Sequence, residues 1–538
     1  MKTVYYNAKV YNGRLPLEEA FAVDGGKFIA CGKNADVLAL ASDADEKIDL
    51  NGQFVCAGFN DSHMHLFNYG VALGEALLAP VTDSLKGILD CLKEFCKGRR
   101  FDDTNWLIGR GWNQDYFTDV KRIPSRWDLD EVSTEFPIII VRACCHCGVV
   151  NSKALELIGI DENTPSPEGG CIGKEDGVLD GRLYDNALEL AYSKIPVPGK
   201  EEVKRCIEAA CKALNSYGVT SSQTDDYPVY RALPWSVVNE AYRELAAEGK
   251  LTVRVYEQSN FTNVKDLTEF IEAGCVTGAG DEMFKIGPLK MLGDGALGPR
   301  TAFISVPYAD DPSAVGIPVF SQQQLIDMID CAVGHGMQVA VHAIGDACLD
   351  YVLNAYEAAF EKYHPADHRC GIVHCQITRP EQLERIARLK LHVYAQSIFL
   401  DYDINMVEDR VGPELVKTSY CWKTLMKNGV CVSNGTDCPV ELPFALEGIQ
   451  CAVTRKTCKG VGPYLPEEAF TVQEALDSYT SASAHASFEE NIKGRIEPGM
   501  LADFVVLDVS PFDVDPMNIT KINVMATYLG GRKVFGSN

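Results

Sequence analysis

Residues 54–65 have the sequence FVCAGFNDSHMH, a short apolar run followed by two histidines that are one residue apart. The run Phe54–Ala57 predicts a buried strand, because a few successive apolar residues bounded by glycine are typical of the interior of a sheet. His63 and His65 leave this strand with both rings on one side, since alternate residues of an extended chain face the same way. We therefore expect both imidazoles at the carboxyl end of this strand.

Seven further strand segments follow along the chain and alternate with amphipathic helices. Residues 201–217 and 321–334 have apolar side chains at helical spacing, and Ser321 and Gln324 have the spacing of a capping box. Eight strands that alternate with helices predict an α/β fold, a (β/α)8 TIM-type barrel. The strands predicted after the first one span 218–224, 251–258, Phe284–Leu292, 337–342, Gly371–His374, 391–396 and 430–433.

The chain ends and one long interruption predict additional domains. Residues 1–55 and 490–538 are rich in strand and turn signals, so we expect one small composite β-sandwich domain built from both ends. The barrel then occupies residues 56–489. About 150 residues separate the first two barrel strands, far more than a crossover needs. Residues 67–198 are therefore expected to form an insertion, a lid or substrate subdomain with structure of its own.

Composition and charge exclude several classes of protein. The 538 residues are 46% hydrophobic and 23% charged, values typical of a globular chain with a large core. The net charge of −25 argues against nucleic acid and anionic membranes as partners. Neither a run of about 18 apolar residues nor a secretory signal is present. The 20 scattered cysteines predict free thiols and a cytoplasmic location.

Polar side chains follow several predicted strands at the end where barrels hold their catalytic groups. His342 and His374 end the fifth and sixth predicted strands, and Asp437 follows the eighth. Together with His63 and His65 they make four imidazoles and one carboxylate, a donor set that suits Zn²⁺ or a similar transition metal. Unrelated hydrogen-bonding residues are the alternative, but these would have no reason to recur at matching strand ends.

Lys290 lies in the fourth predicted strand, close to the same rim. A buried, unpaired ammonium group is costly, so two arrangements are open. Lys290 pairs with Asp294 or another carboxylate, or it is neutral and reacts with CO₂ to form a carbamate that could bridge two metals. Spacing alone favours the ion pair.

At this point the sequence resembles the amidohydrolase superfamily, metal-dependent (β/α)8 hydrolases with a β-sandwich made from both chain ends. Residues 57–65 and 494–504 carry this resemblance. A closer similarity, to the amidohydrolase-3 or YtcJ-like branch that includes N-substituted formamide deformylases, lies in 109–114, 146, 151–155, 290–302 and 341–346.

The resemblance implies a metal centre and a reaction. His63, His65 and Asp437 would hold an inner metal, and a carbamylated Lys290 would bridge to a second one at His342 and His374. Two Zn²⁺ ions are the implied cofactors, one ion being the alternative. The expected reaction is hydrolysis of a C–N bond in a small amide, formamide or cyclic amide by a metal-activated hydroxide, with Asp437 as the catalytic proton acceptor and donor. Contacts to the small-molecule substrate are expected from Trp112, His146, Asn151, Asp294 and Arg300, and the expected assembly is a homodimer.

Three alternatives stay open at this stage. A ring deaminase would use a single metal, but deaminases of this superfamily tend to lack a lysine at the position of Lys290. A non-catalytic regulatory relative would typically have lost metal ligands, whereas this chain keeps them. Residues 144–147, Cys-Cys-His-Cys, are compatible with a zinc knuckle but lack a second pair of ligands at the spacing of a zinc finger.

Overall fold

An eight-stranded parallel sheet forms the centre of the larger of two compact units. The structure is a computed structural model and describes residues 2–142, 147–230 and 232–537. The strands neighbour one another in chain order, which is the arrangement of a (β/α)8 barrel and confirms the predicted fold class. Strands β1 to β8 span Phe59–Met64, Val219–Thr224, Arg254–Asn260, Phe284–Leu292, Val339–Ala343, Gly371–His374, His392–Ala395 and Val432–Asn434.

The first barrel strand differs from the predicted one. Phe54–Ala57 pairs with Lys9–Val10 and with Phe504–Leu507, so it belongs to the sheet built from the chain ends. Strand β1 follows after Gly58 and carries buried polar residues from Asn60 to His63. A strand this polar lacks the apolar signal of a buried strand, which is why the prediction stopped one segment too early. His63 consequently lies within β1 rather than beyond its end.

Helices connect the barrel strands. The helix Gln322–Gly334 begins with the predicted capping box, in which Ser321 and Gln324 each accept a hydrogen bond from the other's backbone amide. The predicted helix 201–217 extends over Lys200–Ser216. The other helices that follow barrel strands span Leu66–Leu73, Trp235–Ala247, Val264–Glu272, Asp346–Tyr363, Pro380–Arg388, Leu400–Asp403, Val407–Leu415, Trp422–Lys427, Ala445–Thr454, Val472–Ser478 and Ser481–Ala486.

Strands from both chain ends form a β-sandwich within the same unit. Its core joins the two ends directly, because the ring of Tyr5 stacks on Phe21 at 4.7 Å and packs edge-on against Phe504 at 5.2 Å. One sheet contains Lys27–Gly32, Ala20–Asp24, Thr3–Tyr6 and Glu46–Asp49, and the other Lys9–Val10, Phe54–Ala57, Phe504–Leu507, Val524–Leu529 and Arg532–Phe535.

Residues 70–206 form the second compact unit, built on a six-stranded sheet. Its central strand Ile138–Arg142 alternates between two apolar cores, with Ile138 and Ile140 in one and Ile139 and Val141 in the other. This period of two places a hydrophobic layer on each face of the sheet. The remaining strands are Ala76–Leu77, Leu107–Trp112, Cys147–Val150, Gly170–Glu175 and Val178–Asp185, and the helices are Leu85–Phe95, Arg126–Asp130, Ser152–Ile158 and Leu188–Tyr192.

Two further observations concern the whole described chain. Within the described ranges, no helix combines the length and the apolar character needed to cross a bilayer. The cysteines of those ranges are free thiols, as the sequence predicted.

Candidate metal centre and active site

Four imidazoles cluster at the carboxyl ends of the barrel strands. His63 lies in β1, His342 in β5, and His374 is the last residue of β6. The ring centre of His374 lies 4.4 Å from that of His342 and 5.7 Å from that of His63. The ring centre of His65 lies 5.4 Å from that of His63. The barrel thus brings together the histidines that the strand-end pattern singled out.

Asp437 reaches this cluster because the turn after β8 closes the barrel against β1. The Asp437 amide donates to the carbonyl oxygen of His63 at 2.8 Å, and the His65 amide donates to the carbonyl of Cys438 at 2.7 Å. The Thr436 hydroxyl donates to the buried carboxylate of Asp61 at 2.5 Å. These hydrogen bonds hold the Asp437 carboxylate in place. Its Oδ1 lies 3.0 Å from Nε2 of His65 and 3.4 Å from Nε2 of His63.

The donor atoms fit a divalent metal ion. His63, His374 and Asp437 each offer one ligand atom, and these atoms lie within 4.8 Å of one another. Nδ1 of His63 lies 2.7 Å from Oε1 of Gln258, and Nδ1 of His374 lies 2.7 Å from Oε1 of Gln396. Each glutamine oxygen therefore fixes the proton on Nδ1 and leaves Nε2 as the nitrogen with a free lone pair. Such partners are typical of metal-binding histidines.

Burial and neighbouring charges keep His63 and His374 neutral and Asp437 ionised, the states in which these three side chains can bind a cation. Burial, reinforced by Lys290, holds the pKa of His63 well below its ordinary value, and burial with His342 does the same to the pKa of His374. Burial works against ionisation of Asp437, but the hydrogen bond from His65 and the charge of His63 outweigh it, so the pKa of Asp437 lies well below its usual range. Asp437 in turn overcomes the effect of burial on His65 and raises the pKa of His65 to about 9.

Lys290 is buried in β4 and faces a carboxylate. Its Nζ lies 3.4 Å from Oδ2 of Asp225, which also accepts a hydrogen bond from the Asn260 amide at 3.0 Å. The ion pair that spacing favoured is therefore present, and its partner is Asp225 rather than Asp294.

Asp294 organises the loops around the site. Its buried carboxylate accepts backbone hydrogen bonds from Phe303, Ile344 and Gly345 at 2.8–3.1 Å. The same carboxylate lies 3.3 Å from Nε2 of His342. Asp294 thus ties the segment after β4 to the segment after β5, and this placement supports a positioning role instead of the predicted contact with substrate.

The other predicted substrate residues have partners within the protein or lie outside the described residues. The guanidinium of Arg300 is paired with Asp310 at 2.8–3.0 Å. Trp112 is fully buried in an apolar core of the insertion, so its indole has no free face for a ligand. His146 lies outside the described residues, as do Cys144 and Cys145 of the possible zinc knuckle.

Asn151 is a structural residue of the insertion. Its Oδ1 accepts from the amides of Ile138 and Ala154, and its Nδ2 donates to the carbonyls of Ser133 and Phe136, all at 2.8–3.0 Å. Because these four bonds exhaust the capacity of a primary amide, Asn151 has none left for a substrate. The prediction came from the resemblance in residues 151–155, where the structure shows Asn151 as the cap of the helix Ser152–Ile158.

A cavity of about 210 Å³ is lined in part by polar residues that no sequence pattern had marked. Gln376 and Glu441 line this cavity and follow the ligands His374 and Asp437 by two and four residues. Asp403, also in the lining, accepts a hydrogen bond from the Tyr420 hydroxyl at 2.7 Å. Burial raises the pKa of Glu441 to about 7 and that of Asp403 to about 6. Acidic residues in loops are too common to have marked them from sequence alone.

A (β/α)8 barrel whose strand ends gather imidazoles and a carboxylate defines the class of metal-dependent barrel hydrolases. A comparison with protein families is consistent with this class, since residues 46–535 match the model of the Amidohydrolase family. The chain belongs to this family and is a hydrolytic enzyme that acts on carbon–nitrogen bonds.

Individual relatives span almost the whole chain. The protein named "Putative amidohydrolase YtcJ" of Bacillus subtilis (strain 168) is 36% identical over 494 residues, 91% of this chain and 90% of that protein. The N-substituted formamide deformylase of Arthrobacter pascens is 28% identical over 536 residues, 98% and 96% of the two chains. The crystal structure of an uncharacterized metal-dependent hydrolase from Pyrococcus horikoshii OT3 superposes with a TM-score of 0.79 at 29% identity, covering 96% of this chain and 99% of that one.

Proposed function

We propose that the protein hydrolyses the carbon–nitrogen bond of a small amide, formamide or cyclic amide at the site around Asp437. The observation that carries this proposal is the convergence of donor atoms from His63, His374 and Asp437 within 4.8 Å of one another. The two glutamine contacts at 2.7 Å support it further, because a protein gains little from orienting imidazoles this way unless Nε2 has a ligand.

Zn²⁺ is the proposed metal, with two ions in the active enzyme. His63, His65 and Asp437 would hold one ion, and Lys290 as a carbamate would share the second with His342 and His374. When bound there, Zn²⁺ would lower the pKa of water and polarise the carbonyl group of the substrate. Carbamylation would replace the cation beside the imidazoles by an anion with two oxygens, and the bound metal ions would have to offset its repulsion from Asp225, 3.4 Å from Nζ.

Asp437 is the proposed proton carrier. Both of its contacts with the imidazoles fall on Oδ1, so Oδ2 is the oxygen that we assign to proton transfer. The low pKa of Asp437 keeps the carboxylate ionised at neutral pH and makes it a weak base, so a proton taken up at Oδ2 would readily pass on to the leaving nitrogen of the substrate.

The cavity of about 210 Å³ is the proposed substrate pocket, and it favours a small substrate. Leu297, Ile344, Phe399 and Val440 give it mostly apolar walls, which suit an alkyl or aryl substituent. Glu441, with its pKa near 7, can exist in either protonation state at neutral pH. In its protonated form it can donate a hydrogen bond to a carbonyl oxygen of the substrate. The insertion, residues 67–198, is also proposed to act as a lid, and His146 is proposed to contact the substrate.

A substrate panel tests the proposed reaction. N-formyl, N-acyl, urea and cyclic-amide compounds should be compared by kcat/KM on the zinc-loaded protein. We expect turnover of at least one class and a loss of at least ~10³-fold in kcat for Asp437→Asn, as is typical when a proton-transfer group is removed. Asp327→Asn is a suitable control, because it removes an exposed carboxylate of the helix Gln322–Gly334 and leaves the metal donors in place. Turnover that survives in Asp437→Asn would contradict the assignment of the proton carrier.

A lysine variant tests the second ion. Lys290→Ala should lower the zinc content from two ions toward one and nearly abolish turnover, and short carboxylic acids should restore part of both. Lys265→Ala removes an exposed lysine of the helix Val264–Glu272 and serves as the control. Wild-type protein prepared in ¹³C-bicarbonate should give a carbamate signal in NMR spectra that Lys290→Ala lacks. A fully metallated, active enzyme without this signal would contradict the bridging carbamate.

A further inference from the structure

A second group of metal-ligating side chains lies at the opposite end of the barrel from the active site. His392 is the first residue of β7, Cys431 immediately precedes β8, and His485 lies in the helix Ser481–Ala486. One ligand atom from each of the three lies within 4.8 Å of the others. Catalytic groups of these barrels lie at the carboxyl ends of the strands, so this amino-terminal group takes no part in the reaction proposed above.

Two imidazole nitrogens of this group are buried and lack a partner. Nε2 of His392 bonds with the Ser433 hydroxyl at 2.7 Å, which leaves Nδ1 as the remaining nitrogen. Within the described residues, neither Nδ1 of His392 nor Nδ1 of His485 has a hydrogen-bond partner. His392 is only 2% exposed. Buried polar atoms are nearly always satisfied, so two orphaned nitrogens on neighbouring rings indicate that a ligand belongs between them.

The neighbouring cavity has room for a ligand. Its volume is about 390 Å³, and His392, Cys431 and His485 all line it. A third histidine of the lining, His368, is not available, because its Nε2 bonds to the carbonyl of Leu389 and its Nδ1 accepts from the amide of Cys370, both at 3.0 Å. The donor set is therefore one thiol and two imidazoles, with the cavity supplying a fourth, open position.

The surrounding charges tolerate a cation. Arg369 also lines the cavity, and its guanidinium is paired with Glu490 at 2.7 Å and with Asp367 at 2.9 Å. These two carboxylates and the guanidinium together carry a net charge of −1. A divalent ion bound to a thiolate would carry a net charge of one, so the completed cluster would be neutral. Lys390, also in the lining, is exposed, so solvent screens its charge.

We propose that His392, Cys431 and His485 form a second transition-metal site, of the Zn²⁺ class, at the amino-terminal end of the barrel. Thiolate and imidazole are ligands that Zn²⁺ prefers. Ions such as Mg²⁺ bind carboxylate and other oxygen ligands instead. Cys431 and His485 are only partly buried and can turn toward an ion that His392 anchors. Binding exchanges the thiol proton of Cys431 for the metal: the S–H bond breaks, a metal–sulfur bond forms, and the proton leaves to solvent.

The protonation states of the free group agree with this geometry. Burial lowers the pKa of His392 and that of His485, so both imidazoles carry a free lone pair at neutral pH. Burial raises the pKa of the Cys431 thiol to about 12, so the thiol stays protonated until a metal displaces the proton. A metal is the agent that ionises a buried thiol in this way.

Such an ion would fasten the chain segment around His485 to the barrel. Within that segment, the carbonyl of Ser483 accepts a hydrogen bond from Gln223 of β2 at 2.7 Å, and the carbonyl of Ala486 accepts one from Gln338, just before β5, at 2.9 Å. The metal would add a link to β7 through His392 and to the start of β8 through Cys431. We therefore assign it a stabilising role.

Cobalt titration of the full-length, chelator-stripped protein tests the site. Co²⁺ bound to a thiolate gives a sulfur-to-metal charge-transfer band in the near ultraviolet, and the proposed active-site ligands include no cysteine. We expect this band in the wild-type protein and in His63→Ala, and its loss in Cys431→Ser and His485→Ala. Cys370→Ser is the matched control, since it removes a neighbouring buried thiol that lies outside the group.

Zinc binding and thermal stability complete the test. Cys431→Ser should bind one zinc ion fewer than the wild type, keep its kcat when the active site is loaded, and lose part of the rise in Tm that zinc produces. Absence of the band in the wild type would overturn the proposal. So would a band that survives Cys431→Ser but disappears in Cys451→Ser, because it would place the thiolate in the group formed by Asp401, Cys451 and Cys458.

Discussion

The metal centre depends on glutamines as much as on its ligands. Gln258 in β3 and Gln396 after β7 each place an amide oxygen 2.7 Å from Nδ1 of a histidine. Neutral imidazole can carry its proton on either nitrogen, so an acceptor at Nδ1 selects the tautomer with Nε2 free. The two glutamines thus determine which nitrogen of His63 and His374 faces the metal.

A glutamine variant should weaken metal binding without removing a ligand. Gln258→Leu deletes the acceptor for Nδ1 of His63, and we expect the affinity for zinc to fall about 10–100-fold, the usual effect of losing such a partner. Gln258→Glu is the matched control, because it loses the same amide donor but keeps the acceptor oxygen. Competition with a chromophoric chelator measures both affinities. Equal affinities for the leucine variant and the wild type would contradict the tautomer argument.

At this scale the sequence predicted the ligands but not their partners. His342, His374 and Asp437 lie at or just after the ends of apolar strands. The sequence alone shows this recurrence. Gln258 lies 195 residues from His63 along the chain, and glutamine is common in strands. Only the pairing of the strands brings the two together, so no local pattern could have marked it.

At the scale of elements, a glycine allows the barrel to close. A Cβ at Gly435 would lie 2.5 Å from the backbone nitrogen of His63 and 2.7 Å from Oδ1 of Asp61. Such distances are below any real carbon contact, and a backbone atom of β1 cannot move away as a flexible side chain could. The close approach of the turn after β8 to β1 therefore needs glycine, and Asp437 reaches the imidazoles through this approach.

Gly435→Ala should displace Asp437 and impair catalysis. A shift of about 1 Å in a catalytic group costs on the order of 10²-fold in rate, and we expect kcat/KM to fall by at least that amount together with the zinc content. Gly32→Ala serves as a control, because a Cβ there meets nothing within 4 Å. Circular dichroism should verify that both variants are folded. Wild-type kinetics in folded Gly435→Ala would show that the turn has other ways to reach β1.

Asn151 provides a test of structure against substrate binding at the scale of a helix. It caps the helix Ser152–Ile158 and bonds to the segment that leads into the strand Ile138–Arg142. Asn151→Ala leaves buried backbone groups without partners, so we expect a loss of about 1–3 kcal/mol in stability. The kcat/KM of the folded enzyme should stay within twofold of the wild type. Asn163→Ala, an exposed position of the same insertion, is the control. An altered KM with an unchanged unfolding midpoint would restore the substrate role.

At the scale of the whole molecule, buried ion pairs join the barrel to the segments that follow it. Arg254 of β3 forms a two-pronged pair with Asp503, next to the sandwich strand Phe504–Leu507, at 2.6 and 3.1 Å. Lys285 of β4 pairs with Glu489 at 2.7 Å, and Lys493 pairs with the same carboxylate at 2.6 Å. The alternation of strands and helices predicted the barrel, but the links made by Arg254 and Lys285 connect residues more than 200 positions apart, and no periodicity reports them.

Glu489 should give the protein a pH-dependent stability. Burial alone would raise its pKa, but the charges of Lys493 and Lys285 outweigh burial and lower the pKa of Glu489 from 4.5 to about 2. A group whose pKa is depressed by folding stabilises the folded state fully above its unfolded pKa, and this stabilisation is lost as the pH falls toward the folded value. The shift corresponds to about 3 kcal/mol, present at pH 7 and decreasing between pH 5 and pH 2.

Glu489→Gln should therefore lower the unfolding midpoint by several degrees at pH 7 and by clearly less at pH 3. The neutral amide cannot compensate the charges of buried Lys493 and partly buried Lys285, which is costly wherever the wild-type carboxylate is ionised. The midpoints should be measured by thermal unfolding from pH 3 to pH 7 on chelator-treated protein, because the metal ligands would otherwise add their own pH dependence. Glu384→Gln, at an exposed position of the helix Pro380–Arg388, should show no pH-dependent difference from the wild type. A gap between Glu489→Gln and the wild type that stays constant from pH 7 to pH 3 would mean that packing, and not the charge of Glu489, accounts for its contribution.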